Sequence, residues 1–204
     1  MKNVTDLEII EEIYNRQDEI ISNISRESID VYLWLGDEYK KGSVKDNAVF
    51  QFVFRSYYRL DNAGLGEELK RRYFELLDGK ENNLESILNK LYEVTTEKGA
   101  NTVQFSFATK LLHTIDNSKP IFDTEVSAII HEAVIGNSRE AKTESAKIIY
   151  AYMEDLYPKL INNEKIQKVI EKFKSKFNIS TKRITEQKML DFLIWSLGKL
   201  KKKK

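Results

Sequence analysis

Two prolines in 204 residues, Pro120 and Pro158, set the tightest limit on what this chain can fold into. Proline is the residue that removes a backbone donor and interrupts a helix, and throughout the chain apolar residues recur at three- and four-residue spacings in most windows. Strand signals are nearly missing. The pattern predicts an all-α protein of about eight to ten helices. The expected organisation is a single all-helical domain over residues 1–204, as one body or as two lobes, 1–100 and 101–200, flanking a cleft, with 201–204 as a basic tail.

The helices can be placed from their caps and stripes. Thr5 with Glu8 forms a capping box ahead of a stripe of Leu7, Ile10, Ile13, Tyr14 and Ile20. Ser25 or Ser28 starts a second helix that carries Ile29, Leu33, Trp34 and Leu35 and stops near Gly42. Residues 48–60 are apolar on most faces, which predicts a core helix packed on several sides. Its polar exceptions, Gln51, Arg55 and Arg59, lie along one stripe with Tyr58 beside them. Arginine's fork and tyrosine's ring would suit a binding wall, with pairing to Asp61 or Glu67 as the structural alternative. Asp61 to Gly66 reads as a turn, Asn83 as a helix cap, and Lys98 to Asn101 as the close of that helix. Later helices are expected from Asp123 to Gly136, from Ser138 to a break at Pro158, over 162–177, and from Thr185 onward.

Composition narrows the function classes. Hydrophobic residues at 41% and charged residues at 32% describe a chain that folds rather than one that stays disordered. With no cysteine, disulfides and thiolate metal sites are excluded, and a reducing cytoplasm is the expected setting. Asp6, Glu8, Glu11 and Glu12 stand where a secretory signal would need basic and apolar residues, and no apolar run approaches the ~20 residues of a membrane span. No membrane partner, metal or cofactor is implied. The net charge of +1 conceals a skew, because from Lys159 onward there are 14 basic and 4 acidic residues. Such a basic region is a candidate footprint for duplex DNA, or else a solvated lysine-rich face.

The segment Asn101 to Val126 carries the densest chemical signal. On a helix over about Val103 to Thr114, Phe107, Leu111 and Leu112 would form an apolar side, with Ser106, Lys110 and His113 opposite. A lysine near a helix start and beside an apolar pocket is biased towards its neutral, nucleophilic form. Asp123 would open the next helix after the Pro120 loop, where a carboxylate can orient water or stabilise a developing cationic sugar. Two helix ends are thereby expected to bring Lys110 and Asp123 to one site. His113 reads as a surface residue.

The run Ser106-Phe107-Ala108-Thr109-Lys110, followed by Pro120-Ile121-Phe122-Asp123-Thr124-Glu125-Val126, resembles the helix-hairpin-helix DNA glycosylase superfamily. There a Gly-hydrophobic-Gly hairpin precedes the helix with the catalytic lysine, and the catalytic aspartate follows in a proline-containing loop. Ser106 and Ala108 occupy the places of the hairpin glycines. The resemblance implies an all-α, two-lobed enzyme that flips a damaged base and cuts its N-glycosidic bond, with Lys110 as the nucleophile of a bifunctional member and Asp123 as the catalytic carboxylate. Arg55, Tyr58, Arg59 and His113 are then the candidate substrate-binding residues. The alternative on the same sequence is a non-catalytic helical module that binds nucleic acid or protein.

Overall fold

The computed structural model describes residues 5–61, 64–97 and 99–202, and every regular element among them is a helix. In chain order these are α1 (Asp6–Asn15), α2 (Gln17–Ser22), α3 (Arg26–Lys40), α4 (Ala48–Tyr58), α5 (Glu67–Asp78), α6 (Leu84–Tyr92), α7 (Phe105–Ile115), α8 (Thr124–Ile130), α9 (Arg139–Ile161), α10 (Glu164–Phe177) and α11 (Glu186–Lys202). The all-α expectation holds. Asn62 and Ala63 of the expected turn, Lys98, and Lys203 and Lys204 of the basic tail lie outside the described residues. The chain clusters into two compact units, each assembled from separated segments: unit 1 from Met1–Arg26, Asn117–Val134 and Ile148–Lys204, and unit 2 from Glu27–Asp116 and Ile135–Lys147.

Unit 1 is built around α11, in which Met189, Leu190, Leu193, Ile194 and Leu197 are fully buried. Around it pack Val126, Ile129 and Ile130 of α8, Ile166, Val169, Ile170 and Phe173 of α10, and Ile9, Ile10 and Ile13 of α1. The capping box at Thr5 is present as read, its hydroxyl accepting from the Glu8 amide while the Glu8 carboxylate accepts from Thr5. Ile9 rather than Leu7 faces inward, and Leu7 is left exposed. Arg26 donates to the Phe177 carbonyl at 2.7 Å and so satisfies an acceptor left open at the end of α10.

Two expected breaks moved. The helix opened by Asp123 ends at His131, whose φ is 57°, well before Gly136. At the other site α9 continues through Pro158 to Ile161. Proline in a helix forfeits one hydrogen bond and costs ~3 kcal/mol. Leu156, Tyr157 and Leu160, which surround it, are all buried, so tertiary packing outweighs the local penalty.

Gly198 shows how closely two elements of unit 1 approach. A Cβ built there would lie 2.3 Å from the Glu125 carbonyl oxygen and 2.7 Å from its carbon. Only a residue without a side chain fits. Gly198→Ala is expected to destabilise the protein by about 1–3 kcal/mol through forced separation of α11 from the start of α8, although alanine is the better helix former. An unchanged denaturant midpoint would show that the contact is not as tight as described.

Unit 2 is held by an aromatic cluster. Phe50, Phe54 and Tyr58 on α4 pack against Tyr73 and Phe74 on α5, with Phe54 within 4.6–5.8 Å, centroid to centroid, of Tyr58, Tyr73, Phe74 and Phe50. Tyr73 is fully buried and donates to the Phe107 carbonyl at 3.2 Å, tying α5 to α7. The expectation that α4 is packed on several sides is corrected by its outer face. Val49 is 65% and Phe52 64% exposed. The helix is apolar nearly all round, but unit 2 covers one side of it.

Candidate functional site

The segment singled out in the sequence is divided between the two units, α7 in unit 2 and α8 in unit 1. In α7, Phe105 and every residue from Phe107 to His113 are buried. The predicted polar face is absent. Lys110 is only 8% exposed, its Nζ donating to the Tyr58 carbonyl at 3.2 Å and lying 4.9 Å from the centre of the Phe107 ring.

The end of α4 explains why a cation belongs there. Arg59 adopts the left-handed conformation (φ 59°, ψ 35°), Leu60 N–H returns to Arg55 O at 2.9 Å, and Arg59 N–H returns to Ser56 O at 3.3 Å. That turn leaves the Tyr58 carbonyl among the open acceptors of the last turn. Lys110 fills it, and its positive charge sits at the negative end of the helix dipole. The lysine that the sequence left unexplained by packing is therefore a helix-end residue of unit 2.

His113 is likewise interior. It is 1% exposed, and its Nε2 shares a hydrogen bond with the Tyr32 hydroxyl at 3.1 Å, joining α7 to α3. The surface assignment is corrected, because α7 is enclosed on the side where His113 projects. Of the other candidate binding residues, Tyr58 is a core ring at 7% exposure. Arg55 pairs with Asp61 at 3.6 Å and Glu67 at 4.0 Å, and Gln51 donates to the Val44 and Lys45 carbonyls. Arg59 is exposed at the end of α4. The stripe read from four-residue spacing is thus divided between a core edge and a helix terminus.

In unit 1, Asp123 has the extended backbone of an N-cap, and its Oδ1 accepts from Glu125 N–H at 3.0 Å and Val126 N–H at 2.9 Å. The capping role was legible in the sequence. Its surroundings were not. The Tyr157 hydroxyl is fully buried and makes a long hydrogen bond, 3.5 Å, to Asp191 Oδ1, while Asp191 Oδ2 accepts from Lys188 Nζ at 2.6 Å. Burial pushes the Tyr157 phenol well above its usual range, and the charges of Asp191 and then Asp123 push it further. It stays a hydrogen-bond donor. Lys188 and Asp191 stand at the three-residue spacing of an ordinary helical ion pair, and the structure places that pair inside unit 1, at 3% and 5% exposure. Tyr157 was missed because the neighbouring proline suggested a chain break there.

Several lysines of the basic region from Lys159 pair with carboxylates of their own unit. Lys172 meets Asp18 at 2.8 Å, Lys201 meets Glu12 at 2.7 Å, Lys202 meets Glu125 at 3.2 Å, and Lys165 meets Glu11. Among the described residues no group of three or more His, Cys, Asp or Glu side chains is placed to hold a metal ion, and no helix is long and apolar enough to cross a membrane. No protein-family model, curated protein or solved structure matches the chain.

Proposed function

We propose that this chain is a non-catalytic helical binding module that acts through protein surfaces. The observation that carries the reading is the use of its two candidate catalytic side chains at helix ends, Asp123 on the first amides of α8 and Lys110 on the last carbonyl of α4. Each has a structural reason to be where it is, independent of any reaction. The pairing of Lys172, Lys165, Lys201 and Lys202 with Asp18, Glu11, Glu12 and Glu125 favours protein over a polyanion as partner, since a cation already neutralised releases fewer counterions from DNA.

A second reading, a DNA N-glycosylase, draws support from one feature: Lys110 is a lysine nine-tenths buried beside an aromatic ring, on a segment that resembles the catalytic segment of those enzymes. One experiment separates the two. The protein is incubated with duplexes carrying oxidised, alkylated or deaminated bases, and in parallel Asp123→Asn, Asp123→Ala and Lys110→Gln are unfolded in denaturant. The module reading expects no excision. It also expects Asp123→Ala to cost about 1 kcal/mol and Asp123→Asn much less, because asparagine caps nearly as well. Excision by the wild type that Asp123→Asn abolishes, with borohydride-trappable adducts lost in Lys110→Gln, would establish the enzyme instead.

A further inference from the structure

We draw no further inference here: the strongest candidate, the outer face of α4 around the exposed side chains of Val49 and Phe52, is an unpartnered apolar patch of unit 2, and nothing in the structure shows what covers it.

Discussion

Phe54→Ala is expected to lower the free energy of unfolding by about 3–5 kcal/mol, the range for removing a fully packed phenyl ring from a core. Phe54 has no exposed surface and touches four other rings on α4 and α5. Truncation leaves a void that rigid aromatic neighbours cannot close by small shifts, which places this site at the costly end of such substitutions. Two residues away in sequence the expectation for Phe52 is different in kind: as a surface ring on the same helix, it should change stability little when replaced. Denaturant midpoints of the two variants check the contrast. Equal shifts would mean that α4 is covered on both sides and that its inner and outer faces are not distinct.

Lys188→Met is expected to cost a comparable amount, about 3–5 kcal/mol, because it leaves the Asp191 carboxylate buried without its cation. Lys188 Nζ lies 2.6 Å from Asp191 Oδ2 and 4.5 Å from the centre of the Phe192 ring, and both members of the pair are almost completely enclosed. The Tyr157 hydroxyl remains as a donor to the carboxylate, but at 3.5 Å it replaces little of the lost interaction. Replacing both partners tells more than replacing one. Lys188→Met with Asp191→Leu should recover most of the loss, since apolar side chains of similar volume often match a buried ion pair in stability. A double variant as unstable as the worse single one would show that the pair fixes the arrangement of α11 rather than merely balancing its own desolvation.

How much of this was legible in the sequence depends on which physical rule decides each feature. The caps at Thr5, Asn83 and Asp123 were read correctly, because a cap is a bond between a side chain and an amide two or three residues away and involves nothing remote. The interior role of His113 and Lys110 was not, because a helix with Ser106, Lys110 and His113 on one side looks amphipathic until neighbouring elements enclose it. Lys110 answers a carbonyl 52 residues away. No local pattern announces that a distant helix will end with an acceptor open. Pro158 misled for the same reason in reverse, its local penalty being overridden by the burial of Leu156, Tyr157 and Leu160.

By itself the sequence determined the class of the fold, the positions of most helices and several of their first residues, all consequences of backbone bonding and apolar period acting over a few residues. Only the tertiary structure decided which side of α4 is core and which is surface, which ion pair is buried, and why Gly198 must have no side chain. Those outcomes depend on residues brought together from segments far apart in the chain, as unit 1 is assembled from three and unit 2 from two. Hydrophobic burial is non-directional and gives no preference between two equally apolar faces of one helix, so that choice is made by the partner elements that the rest of the chain supplies.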